Sequence, residues 1–189
     1  NENEIIVIVD GFYEESKSVL EKYGNKIKII VSENNQGMQT SLNYGVMNAS
    51  NELLLIINDD NVVCANWDIL ILGEYELLEE INHPNSVLTI NQIEHTGPSI
   101  FNFLIKDFGK TPDEFKYEEF IEYEKSLKQY SNKNTRDGGI FPFVINKKHY
   151  MGVGWFDTLY PSQFICDWDF FLKLELMGIE FYRTNYFNF

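Results

Sequence analysis

The sequence predicts a single α/β domain with a Rossmann-like, mostly parallel sheet flanked by helices. Three observations predict it: short, mainly apolar runs recur at Ile5–Val9, Ile27–Val31 and Leu53–Ile57, apolar residues at helical spacing separate them, and the joins are short and polar. Continuous apolar runs of this length read as strands buried on both faces, as inside a parallel sheet. Strand and helix alternating through short joins is the pattern of βαβ units.

Taken in order, the first run (IIVIV) stops at the turn signal Asp10-Gly11, and Val19, Leu20 and Tyr23 then mark a helix ended by Gly24-Asn25. The second run leads into the polar stretch SENNQG at 32–37, after which Met38, Leu42, Val46 and Ala49 recur at helical spacing. The third run closes on Asn58-Asp59-Asp60-Asn61. An amphipathic helix is expected over 67–81 and a strand over 86–90. The stretch 93–137 is polar, aromatic and irregular, with a helix around 113–129. A strand at 140–145 contains Pro142, which suits an edge or irregular position. A helix over 166–177 ends at Gly178, and a last strand begins at 179.

The 29 acidic and 15 basic residues leave a net charge of -14. That balance argues against a nucleic-acid partner, which needs a basic face to displace counterions. It accommodates a small phosphorylated ligand when a divalent cation lies between the two sets of negative charge. Cys64 and Cys166 show no metal or disulfide spacing, so a reducing, cytoplasmic setting is expected. No apolar run approaches the about 18–20 residues needed to span a bilayer. The chain enters its first strand almost at once, so further sequence before Asn1 is expected.

Right-handed crossovers bring the carboxyl ends of successive parallel strands to one edge, where open α/β sheets bind ligands. Asp10, the Asn34–Gly37 stretch and Asn58–Asn61 are therefore expected to converge. The adjacent carboxylates of Asp59 and Asp60 repel one another, and a hard cation would offset this; turn chemistry is the plainer account. Asp167 opens the expected helix at 166–177, either as an N-terminal cap or as a general base taking a proton from a sugar hydroxyl. Asp169 lies inside that helix and is expected to support the fold or orient neighbours. Trp155 and Trp168 either pack in the core or offer faces to a sugar ring. No GxGxxG, Walker A, HExxH or GxSxG pattern is present, and the three histidines have no ligand spacing.

The stretches EIIVIVDG and ENNQGMQTSLNYGVMNASNELLLIINDDN resemble the nucleotide-binding half of family 2 glycosyltransferases, which have the GT-A fold. GVGWFDTLYPSQFICDWDFFLKLELMG is similar to that family's GGFDE…EDxDLxxRLxxxG segment. The resemblance covers a little over half the chain and divides it into a nucleotide-binding half, 1–92, and an acceptor and catalytic half, 93–189. It implies inverting transfer of a sugar from a nucleotide-diphosphate sugar to a glycan or other hydroxyl acceptor, as in hexosyltransferases, with Mn²⁺ or Mg²⁺. Asp10 then contacts the base, with Asn35 and Gly37 beside it. Asn58, Asp59 and Asp60 fall on the DxD position, with Asp60 on the metal and Asp59 near the ribose. Asp167 matches the general base, and Gly154–Asp157, with Trp155, matches the loop near donor sugar and acceptor. Cys166 stands where the motif has Glu, and the family's opening strand, its Thr-Tyr-Asn-like loop and its late metal-reaching His have no match. A nucleotidyltransferase, or a nucleotide- or glycan-binding remnant without turnover, are the alternatives.

Overall fold

A computed structural model describes residues 3–80, 85–97, 104–127, 135–136, 138–160 and 163–187. Position 81 of the expected third helix and positions 128–129 of the fourth lie outside these residues. The chain groups into two compact units that interleave along the sequence: Asn1–Ile56 with Ile145–Ile179, and Ile57–Val144 with Glu180–Phe189. Neither is one uninterrupted segment.

In the first unit, β1 (Ile6–Asp10) leads to α1 (Tyr13–Leu20), a 3-10 turn at Glu21–Lys26, β2 (Lys28–Ser32), α2 (Met38–Asn48) and β3 (Leu53–Ile56). β1 and β2 pair in parallel, from Ile6 with Lys28 through Asp10 with Ser32. Their apolar runs give each strand two contact faces, and α2 takes one of them. Gly45 of the helix faces Ile8 of β1, where a Cβ would sit in ordinary contact at 3.6 Å. β3 does not continue the β1–β2 ladder; its neighbour is β8 (Phe143–Asn146), whose last two residues belong to this unit. Lys147 N–H donates to the Glu52 carbonyl at 2.7 Å beside this join. The three runs were expected as strands of one parallel α/β unit, and β3 instead belongs to a different ladder from β1 and β2. Apolar periodicity identifies a strand but carries no information about which strand pairs with it.

The unit is completed by α5 (Lys147–Gly152) and α6 (Gln163–Leu176). The Asn146 carboxamide caps α5 by accepting from Lys148 N–H. α6 ends as its sequence predicts: Gly178 at φ 78 donates to the Glu175 carbonyl and Ile179 to that of Leu174. Tyr150, Phe156, Phe170 and Leu174 are fully buried, and the Phe156 and Phe170 rings stack at 4.2 Å.

In the second unit, α3 (Trp67–Glu80) precedes β4 (Ser86–Asn91), the short parallel pair β5 (Ile93–Glu94) and β6 (Leu104–Ile105), α4 (Tyr117–Ser126) and β7 (Thr135–Arg136); β9 (Glu180–Phe187) closes it. β4 pairs in parallel with β9 and antiparallel with β8, and β7 pairs antiparallel with β9, so the sheet is mixed. Buried side chains extend the β4–β9 ladder: Thr89 Oγ1 donates to the Tyr182 carbonyl at 3.1 Å, and Thr184 Oγ1 accepts from Asn91 N–H at 2.8 Å. The stretch expected to be irregular contributes Phe108 and Phe120 to a small core, where they are buried together with Cys64. Phe108 and Phe120 meet edge-on at 5.6 Å.

Candidate functional site

The carboxyl end of β1 carries the best-defined polar constellation in the first unit. Asp10 Oδ1 accepts from Gln36 N–H at 2.7 Å, and its Oδ2 accepts from Gly37 N–H at 2.8 Å. Asn35 Oδ1 shares the Gly37 N–H at 3.0 Å. One carboxylate thereby fixes the loop that enters α2, and its remaining lone pairs stay available to a ligand. The expected meeting of Asp10 with Asn35 and Gly37 is thus present in the fold. Gly37, at φ 90 and ψ 156, occupies a conformation open essentially only to glycine. Gly11, at φ 81, passes so near the loop that a Cβ would lie 3.2 Å from Asn35 N. Gly37→Ala is expected to cost about 1–3 kcal/mol, read as a lowered urea midpoint at unchanged slope. An unaltered midpoint would mean that the loop relaxes freely.

Phe12 follows at φ 54 and is 72% exposed, so an uncovered aromatic ring stands beside Asp10. Nothing in the sequence signalled this. An open cleft of about 450 Å³ adjoins the loop on its β2 side, with Glu33, Asn34, Gln36 and Tyr44 among its walls. The Asp10 carboxylate does not line it.

The second constellation of this unit is the turn at 154–156. Gly154 and Trp155 both have left-handed backbones, at φ 84 and 69. Asn43 of α2 accepts from Phe156 N–H at 3.1 Å and donates to the Phe156 carbonyl at 2.9 Å. The Tyr150 hydroxyl also donates to Asn43 Oδ1, at 3.0 Å. Burial pushes the Tyr150 phenol well above its ordinary range, so it stays a donor. Lys173 donates to the Trp155 carbonyl at 2.9 Å while pairing with Asp169 at 2.9 Å. Asp169 therefore supports the fold, as expected. Asn43 lies in the LNYG stretch, and an amide inside a helix has no signature in one sequence.

Asp167 corrects one expectation. α6 begins at Gln163, so Asp167 lies within the helix and is not its cap; its Oδ1 accepts from Trp168 N–H at 2.9 Å. The residues Gln163-Phe164-Ile165 extend the helix by about a turn before Cys166, and the sequence marks that start with Pro161 and Ser162 immediately ahead of it. Burial raises the Asp167 carboxyl above the usual carboxylate range, while the Trp168 and Asp167 amides act in the opposite direction. Cys166 beside it is fully buried, and burial, followed by the charge of Asp167, raises its thiol.

Asn58–Asn61 belongs to the second unit. Asn61 N–H donates to the Asn58 carbonyl at 3.4 Å and Asn61 Oδ1 accepts from Asn58 N–H at 3.3 Å, which closes a turn. Turn chemistry therefore accounts for the two asparagines. It leaves the Asp59 and Asp60 side chains exposed, at the two central positions. Asp60 lies close enough to Glu94 for its charge to act there: burial raises the Glu94 carboxyl, His95 opposes this, and Asp60 adds to it. Among the described residues no group of three or more His, Cys, Asp or Glu forms a metal cage. Two exposed carboxylates fit the other mode, in which Mg²⁺ or Mn²⁺ keeps waters and takes its remaining oxygens from substrate phosphate. No helix among the described residues is long and apolar enough to cross a membrane.

The sequence model of Glycosyl transferase family 2 matches residues 1–150. The chain belongs to this family. Among curated proteins, family membership is joined by similarity to an uncharacterized glycosyltransferase of Rickettsia conorii, 32% identical over 112 residues, which cover 48% of this chain and 18% of that protein. An uncharacterized glycosyltransferase of Rickettsia felis is 31% identical over 112 residues, with the same coverage. The chain thus spans under a fifth of the length of these relatives. Among solved structures, a crystal structure of GalNAc-T7 with UDP, GalNAc and Mn²⁺ superposes with a TM-score of 0.60 at 14% identity, covering 96% of this chain and 36% of that one. Crystalline TarS 1–349 of S. aureus gives 0.61 at 16% identity, covering 96% and 48%. Both likenesses show the GT-A fold expected for this family 2 chain.

Proposed function

We propose that this family 2 chain carries the donor-binding and catalytic residues for inverting transfer of a sugar from a nucleotide-diphosphate sugar to an acceptor hydroxyl. The observation that carries this reading is the Asp10 carboxylate holding Gln36 and Gly37 N–H at the carboxyl end of a parallel strand, in a chain of this family. Residues 1–92 supply the nucleotide-binding half and 93–189 the acceptor and catalytic half.

Asp10 orients the base, with Asn35 and Gly37 beside it. Asn58 and Asp59 serve the ribose and diphosphate, and Asp60 holds a divalent cation. When bound, that cation supplies charge neutralisation for the leaving diphosphate. Mn²⁺ is the first candidate because GalNAc-T7 was crystallised with UDP, GalNAc and Mn²⁺; Mg²⁺ offers the same hard-cation chemistry. Trp155 presents its ring to the donor sugar or acceptor. Asp167 takes the proton of the attacking hydroxyl on the face opposite the departing nucleotide. The two buried cysteines, Cys64 and Cys166, have no metal or disulfide spacing and suit a reducing, cytoplasmic setting.

A thermal-shift panel of nucleoside diphosphates, with and without Mn²⁺, tests the donor site. A stabilisation that requires both nucleotide and metal is expected, and no shift with any base would remove the reading. Asp10→Asn keeps the volume but turns one acceptor into a donor facing an N–H. Each hydrogen bond to a charged group contributes about 1.5–3 kcal/mol. Nucleoside-diphosphate affinity should therefore fall along with the melting temperature, and calorimetric titration checks both. A second reading, binding without turnover, is favoured by one observation: Cys166 is a buried, neutral thiol where the family motif carries Glu. Nucleotide binding with no donor hydrolysis or transfer would select it.

A further inference from the structure

We propose that Asn43 is a positioning residue for sugar transfer, holding the turn at Gly154–Phe156 so that Trp155 is presented in one fixed geometry. The inference rests on the reading of Trp155 as a substrate-facing residue.

A non-glycine residue with a left-handed backbone is strained and persists only where its surroundings over-determine it. Trp155 is such a residue, at φ 69. Its surroundings grip the turn from two helices. From α2, Asn43 binds both the N–H and the carbonyl of Phe156, at 3.1 and 2.9 Å, and from α6, Lys173 binds the Trp155 carbonyl at 2.9 Å. The flipped orientation of the Asn43 amide would serve neither backbone group, and the Tyr150 hydroxyl adds a donor to Oδ1 in the observed one. Burying an aromatic side chain does not require this. Phe156 is already anchored against Phe170 at 4.2 Å, whereas the strained residue is its half-buried neighbour Trp155. Strain at the less buried of the two points to presentation of that ring as the purpose.

The position of Asn43 adds a second element. Asp10 holds Gly37 at the start of α2, and Asn43 lies six residues further along, about 9 Å at the helical rise of about 1.5 Å per residue. Gln39, between them, donates to the Tyr160 carbonyl at 3.2 Å. One rigid helix therefore sets the register between the Asp10-held loop and the Trp155 turn.

The test is Asn43→Asp in the full chain. Aspartate is the same size and keeps both acceptor contacts, but it sets an oxygen against the Phe156 carbonyl. Nucleoside-diphosphate affinity with Mn²⁺ should stay within twofold while kcat for transfer falls at least tenfold. In protein labelled with fluorotryptophan, the Trp155 ¹⁹F resonance, assigned with Trp155→Phe, should shift or broaden while those of Trp67 and Trp168 hold. Lys173→Met should repeat the kcat loss and Lys173→Arg should restore it; this pair gives the same reading should Asn43→Asp fail to fold. An unmoved Trp155 resonance, or a moved resonance with unchanged kcat, overturns the proposal. Failure of the wild-type protein to transfer any sugar counts instead against the proposed function, and the ¹⁹F result still reports whether Asn43 holds Trp155.

Discussion

Asp167→Asn is expected to lower kcat for transfer by about 10²–10⁴, the usual contribution of a positioned general base, while metal-dependent nucleotide binding stays near wild type. The amide retains an oxygen for the Trp168 N–H, so the local contact at 2.9 Å survives and only proton acceptance is lost. A pH profile gives a second measure. The base acts when deprotonated, and burial raises its pKa above that of an ordinary aspartate. The acid limb of kcat should therefore lie at higher pH than a free carboxylate would give, with activity falling as pH drops through the raised pKa. In Asp167→Asn that limb should vanish. Turnover at near wild-type level would remove Asp167 from the role.

Asp60→Ala is the second large effect. Its carboxylate is exposed in the 58–61 turn, so its loss leaves no cavity and should hardly change the melting temperature of the free protein. Interaction of a bound cation with developing charge is worth several kcal/mol. Nucleoside-diphosphate affinity in Mn²⁺ should fall about a hundredfold or more, while the weak affinity without metal stays unchanged. Titrating the nucleotide with and without Mn²⁺ separates the two terms. Equal losses under both conditions would assign Asp60 to direct nucleotide contact, and no loss would take it out of the site.

Much of the fold could be read from residue order. The runs at 5–9, 27–31 and 53–57 became strands within a residue or so, and the Met38–Ala49 stripe became α2. Each depended on local apolar pattern and on glycine or asparagine punctuation. The Schellman end at Gly178 was legible because only glycine enters the left-handed region without strain. α5 went unseen although Asn146 is a good cap, because six residues hold too little periodicity to stand out. The stretch 93–137 read as polar, aromatic and irregular apart from one helix, yet its Phe108 and Phe120 form a core with Cys64, which lies far from them in sequence.

The sequence by itself determined the element types, the family, and which acidic residues were worth examining, because these follow from side-chain chemistry and spacing along the chain. Only the tertiary structure decided that β3 pairs with β8, that Asp167 lies inside its helix, and that the Asp10 carboxylate closes on Gln36 and Gly37. It alone brought Asn43 to a turn more than a hundred residues away. Pairing partners and side-chain contacts depend on where distant segments come to rest, and local pattern does not encode that.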